Sequence, residues 1–162
     1  MPLITVDGFR DDVFAPLGDD APLPDGAVLV SLARFQKERD LLIARNAPIG
    51  VRLKSDQSPE LLGEDVHRLS LVALEFPKFR DGRAFSWARL LRTRLSFKGQ
   101  VRAVGDFLYD QIAYQRRVGF DAWEVANTFT PDDMHRALNE ISNVYQPSAD
   151  GRKTIRQLRA SA

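Results

Sequence analysis

Five short apolar segments, at residues 27–30, 49–53, 71–76, 101–104 and 121–126, alternate with stretches whose apolar residues recur at helical spacing, and this alternation constrains the chain more than any other feature. A strand-then-helix unit repeated with short connections forces parallel strands, because each helix must carry the chain back before the next strand begins. The expected class is α/β, with five parallel strands alternating with helices.

The punctuation agrees with this reading. Ser31 is placed to cap a helix over residues 32–46, and Ser58-Pro59-Glu60 opens another that ends near Arg68. Residues 83–95 put Ala84, Ala88, Leu91 and Leu95 on one stripe. Asp106 can cap a helix over 107–118 that Gly119 stops, and Thr130-Pro131-Asp132-Asp133 is a capping box followed by a face of Met134, Ala137, Leu138, Ile141 and Tyr145. Residues 1–26 read as an N-terminal extension, with a hairpin over residues 4–6 and the Asp7-Gly8 turn and a Pro-rich loop at 21–26. Residues 27–146 form a single α/β domain, and 147–162 a basic C-terminal tail.

Charge interrupts the apolar strands in a regular way. Arg52, Glu75, Arg102 and Glu124 each sit inside a strand-like run, with alternating sign, whereas strands covered by helices on both faces normally read as unbroken apolar runs. Strand alternation puts Gly50, Arg52 and Lys54 on one face with Ala73, Glu75, Arg102, Val104, Ala122, Glu124 and Ala126. The opposite face takes Val51, Leu53, Val72, Leu74, Phe76, Val101, Ala103, Trp123 and Val125. A curved, partial (β/α)-barrel-like sheet gives the charged face a place to meet. A flavodoxin-like doubly wound sheet would bury the same charges as pairs, at several kcal/mol per ion before their attraction compensates (roughly, in the protein interior). An open inner face could also be closed by a second copy in a homodimer.

Composition bounds the chemistry. The 162 residues, 44% of them hydrophobic, suffice for one domain. The absence of cysteine excludes disulfides, thiolate nucleophiles and Cys-ligated metal centres in this chain. No run approaches the roughly 18 apolar residues of a bilayer span and no leader pattern opens the chain, so a cytoplasmic protein without membrane association is expected. The net charge of +1 gives no field to recruit nucleic acid, although residues 1–27 carry −5 and the last twelve +4, leaving +2 between them. Such ends either attract each other or a partner, or are simply solvated. Arginine outnumbers lysine 18 to 5, which suits two-pronged contacts with oxyanions and equally follows from a codon bias.

In parallel α/β folds the loops that follow the strands gather at one rim with the helix N-termini. That rim should hold Lys78, Asp81, Gly82, Arg83 and Ser86 after the third strand, Gly105 and Asp106 after the fourth, and Asn127 and Thr128 after the fifth. Glu75, Lys78, Asp81, Arg83, Ser86, Arg102 and Asp106 are the candidate ligand-binding residues, with Arg83, Ser86 and Lys78 for an oxyanion and Asp81 or Asp106 for a proton. Each has a structural alternative: Asp81-Gly82 is a turn signature, and Asp106 is a good cap. Arg89, Arg92 and Arg94 read as a solvated face, and Arg116 and Arg117 as favourable charges at a helix C-terminus. His67 and His135 lack a partner histidine at ligand spacing, so no metal is expected. No Gly-x-Gly-x-x-Gly, Walker A or Gly-x-Ser-x-Gly string occurs, and no cofactor or catalytic constellation is implied.

Four strings carry a family resemblance: ARNAPIGVRL (44–53), EFPKFRDGRAFSWARLLR (75–92), QVRAVGDFLYDQI (100–112) and RVGFDAWE (117–124). Over roughly residues 28–140 the chain resembles a bacterial family of unknown function. Its members are often labelled probable oxidoreductases and are commonly encoded beside sulfite reductase and phosphoadenylyl-sulfate reductase. The resemblance implies an accessory protein of assimilatory sulfate or sulfite reduction, with sulfite reductase or another sulfur-assimilation enzyme as partner. The other expectation is a small enzyme acting on a sulfur or phosphorus oxyanion at the rim. In the family pattern a Cys often precedes Gly-Phe-Asp; Val118 stands there in this chain.

Overall fold

The computed structural model describes residues 1–161. The five expected strands are present as β4 (Val28–Ser31), β5 (Ile49–Leu53), β6 (Leu71–Phe76), β7 (Gln100–Gly105) and β8 (Ala122–Glu124), and each pairs in parallel with the next. Residues 1–26 add three more strands to the same sheet: the hairpin β1 (Leu3–Thr5) and β2 (Gly8–Arg10), with β1 antiparallel to β8, and β3 (Ala15–Pro16), parallel to β4. The order is β2-β1-β8-β7-β6-β5-β4-β3. From β3 to β8 it follows the sequence without the reversal that marks a doubly wound sheet. Right-handed crossovers all running one way place every connecting helix on the same face, and the sheet is a curled half-barrel.

The connection between the two edge strands requires that curl. Laid flat, eight strands spaced about 4.8 Å apart would hold their outer members roughly 34 Å apart. The chain from Arg10 to Ala15 reaches at most about 18 Å. Residues 11–14 therefore cross the mouth of the curled sheet as a strap.

Helices α1 (Leu32–Lys37), α2 (Arg39–Ile43), α3 (Arg83–Thr93), α4 (Ile112–Val118) and α5 (Pro131–Asn139) cover the convex face, with 3-10 segments at Pro59–Arg68 and Tyr109–Gln111; α6 (Ile155–Ala160) follows in the C-terminal segment and buries none of its residues. The main core contains the strand face expected to be apolar, packed on Leu32, Phe35, Leu42, Leu62, Ala88, Leu91 and Ile112. Among the described residues no helix is long and apolar enough to cross a membrane.

Several helices depart from expectation. The helix read over 32–46 breaks at Glu38, whose side chain accepts from the buried Arg34 at 3.0 Å, and the second piece returns Leu42 to the core. The Pro59–Arg68 segment is 3-10 and is interrupted at Gly63. Asp106 caps no helix: Gly105 bends the chain at φ +98°, a conformation open to glycine, and Asp106 N–H donates to the Phe76 carbonyl at 2.7 Å instead. The capping box at Thr130 is present and Met134 and Ala137 are buried, but α5 stops at Asn139, which leaves Ile141 and Tyr145 exposed. Arg92 does not belong to a solvated face. It donates to the carbonyls of Gly119, Phe97 and Gly99 and pairs with Asp121 at 2.6 Å, tying α3 to the start of β8.

Candidate functional site

Register resolves the charged face into layers. Leu29, Gly50, Leu71 and Gln100 lie side by side, and above them Ser31, Arg52, Ala73, Arg102 and Ala122. Gly50 leaves Leu29 and Leu71 room to approach each other, since a Cβ there would lie 3.0–3.1 Å from both side chains. Arg52 and Arg102 thus share a layer, separated by Ala73, while Glu75 belongs to the next. The four charges form two ion pairs, Arg52 with Glu75 at 3.2 Å and Arg102 with Glu124 at 3.3 Å, rather than one row.

The strap occupies the floor beside Arg102. Phe14 packs on the small apolar cluster of Leu29, Leu71, Ala73 and Val104, and Asp12 grips the guanidinium at 2.6 and 2.9 Å. Arg102 is 1% exposed, and its remaining donors go to Gln100 and Glu124. All five guanidinium N–H donors of Arg102 are engaged internally, so it has none left for a ligand. Burial raises the Asp12 carboxyl, but the Arg102 hydrogen bonds, the Phe14 N–H and the nearby positive charges outweigh it and hold it below its ordinary range.

The strand-end rim divides similarly. Arg83 is clamped on Asp81 through two hydrogen bonds of 3.0 and 2.7 Å and on Ser55 at 2.8 Å, and this guanidinium holds the Asp81 carboxyl far below the carboxylate range. Asp106 accepts the Phe79 N–H at 3.3 Å, bracing one rim loop on the next. Lys78 and Ser86 are exposed, as are Asn127 and Thr128.

Two cavities remain open at this end. One, of about 270 Å³, places Asp106 and Glu124 with Tyr109 and Phe129. The other, of about 290 Å³, gathers Asp19, Ser31, Arg52, Lys54, Gln57 and Glu75. In it the carboxylates already act as acceptors, Asp19 from the Ser31 hydroxyl at 2.6 Å and Glu75 from Arg52 Nε. The terminal guanidinium nitrogens of Arg52, the Lys54 ammonium and the Gln57 amide nitrogen keep donors to offer.

The profile of a bacterial protein family of unknown function, DUF934, matches residues 50–156. The chain belongs to this family. The DUF934 match takes in Arg52, Lys54, Glu75, Arg102 and Glu124, while Asp12, Phe14, Asp19 and Ser31 fall outside it. A search of curated proteins finds no match.

Four contributors to this face, Asp12, Phe14, Asp19 and Gln57, were not among the sequence candidates. The acidic excess of residues 1–27 was the available signal, but nothing local joins Asp12 to an arginine 90 residues away.

Proposed function

We propose that this DUF934 protein is an accessory protein of assimilatory sulfate or sulfite reduction that receives a small oxyanion in the Arg52–Lys54 cleft and works with sulfite reductase. The observation that carries the oxyanion half is the cavity of about 290 Å³, in which unengaged Arg52, Lys54 and Gln57 donors face a space whose two carboxylates are already bonded. The sulfur half rests on the family resemblance. An enzyme working through Lys78, Asp81, Arg83, Arg102 and Asp106 is less favoured, since Arg102 is spent on internal partners and Asp81 is held as the counter-charge of Arg83.

Thermal melts with sulfite, sulfate, phosphate and adenylyl sulfate test the site. A ligand at 100 times its Kd contributes about 2.7 kcal/mol. That should raise Tm by roughly 5–10 °C in a chain of this size, and the rise given by sulfite, sulfate or phosphate should vanish in R52A/K54A. Pull-down against sulfite reductase tests the partner. No shift with any anion, no association, and normal sulfite reduction in a deletion strain would together remove the proposal.

A further inference from the structure

A second hollow lies on the helix side of the sheet, built from residues that the strand-end cleft does not use. It measures about 540 Å³ and opens between α4, the end of α5 and residues 150–152, where Arg116, Arg117 and Arg152 line it. It runs into a neighbouring hollow of about 270 Å³ reached by Tyr114, Val144 and Tyr145, and Arg117, Ile141 and Arg152 line both. The result is one groove with a cationic end and an apolar, aromatic end.

The charge at the cationic end is uncompensated. Asp150 is its one lining carboxylate, and that group is taken by Arg117 Nε at 3.2 Å and by the Arg152 backbone N–H at 3.2 Å. Among the described residues no carboxylate lies within ion-pair distance of Arg116 or Arg152. Asp121, whose charge Arg116 feels, is held by Arg92 and the Val101 N–H. Arg152 gives one amino group to the carbonyls of Ile141 and Ser142, at 3.3 and 2.7 Å, and Arg116 one N–H to that of Phe120 at 3.4 Å. Each guanidinium keeps its Nε and one amino group unengaged.

Such forks match an oxyanion with two or more oxygens to share, a phosphate as well as a carboxylate. A bare inorganic anion would leave most of the groove to water, because its size is that of a small-molecule site. At the other end Tyr145, 81% exposed, and Ile141, 53% exposed, present apolar surface that a stacked ring would cover. We propose that the groove binds a nucleoside phosphate, with the phosphate between Arg116 and Arg152 and the base against Tyr145 and Ile141. Sequence gives no warning of this mode. Gly-rich nucleotide motifs cradle phosphate on backbone N–H groups at a helix N-terminus, whereas here Arg116 and Arg117 end α4 and Arg152 comes from the irregular segment before α6.

Calorimetric titration of the full chain with AMP and ATP, alongside inorganic phosphate, adenosine and a polyglutamate peptide, tests the proposal. Saturable nucleotide binding at least tenfold tighter than either half-ligand is expected, weakening tenfold or more in R116A and R152A and severalfold in Y145A. Tyr145 is so exposed that Y145A should fold normally, which keeps the test decisive if an arginine variant does not. R52A/K54A should bind nucleotide as the wild type does, so this outcome stands apart from that of the strand-end cleft. Nucleotide binding no tighter than phosphate, Y145A indistinguishable from wild type, or preference for polyglutamate would overturn it.

Discussion

Replacing Asp12 with Asn should loosen the strap and destabilise the half-barrel by about 2 kcal/mol at neutral pH. Removing one partner of a fully buried ion pair costs roughly 3–5 kcal/mol. Here the cost is smaller, because Arg102 keeps Glu124 and Gln100 while the Asp12 side chain is 33% exposed. Asn still accepts one N–H, but the two-pronged charged contact is lost, and hydrogen bonds to charged groups contribute about 1.5–3 kcal/mol. Urea denaturation at pH 7 measures this directly, and a thermal melt should fall by about 4–8 °C. The sign of the pH dependence follows from the lowered carboxyl. The contribution is fully present above the unfolded-state value of about 3.9 and is lost as pH falls through the lower folded-state value, so wild type and D12N should converge in acid. A cycle with R102M isolates the pair: R102M alone strands Asp12 and Glu124, and D12N/R102M should cost less than the two single changes together. A difference below about 0.5 kcal/mol at pH 7, or one of equal size at pH 7 and pH 2.5, would refute the assignment of the strap to this ion pair.

Three further changes test neighbouring features. Gly105→Ala puts a Cβ 2.3 Å from the Phe76 carbonyl oxygen at φ +98°, and urea denaturation should show a loss of at least about 2 kcal/mol. Burial raises the Asp121 carboxyl against the pull of Arg92, so its contribution is present at low pH and lost as pH rises through the folded-state value. Asp121→Asn should therefore make stability climb more steeply between pH 3 and 6 than in wild type; a shallower climb would contradict the burial argument. Thr130→Ala removes the acceptor of the Asp133 N–H at 3.2 Å and should cost about 1 kcal/mol in the same assay.

Periodicity made the five parallel strands and their two faces legible, because a strand packed under helices on one side must place Val51, Leu53, Val72 and Leu74 alike. Helix ends were less legible: the chain breaks at Glu38 within what reads as one continuous helix, and Gly105 sends the Asp106 N–H to Phe76 rather than to a cap. Arg92 shows the same effect on the helix surface. Its position on α3 reads as solvent-facing, but the returning loops at 97–99 and 119–121 supply three carbonyls and a carboxylate.

The strap explains why a charged strand residue was a sound indicator of an inner face and a poor indicator of a ligand. An arginine on the concave side of a half-barrel needs a counter-charge, and a segment that joins the two edge strands across the mouth can provide one. Arg102, near the strap, is consumed in that way, while Arg52, on the side of β4 and β5, meets only one Glu75 contact and stays 47% exposed. The same local pattern in two strands thus has opposite consequences for binding. The difference is set by where residues 11–14 cross, which is a property of sheet closure and not of either strand. Residues 11–14 therefore withdraw Arg102 and leave Arg52 and Lys54 as the open cations of the concave face, and a variant strap that released Arg102 would add a third.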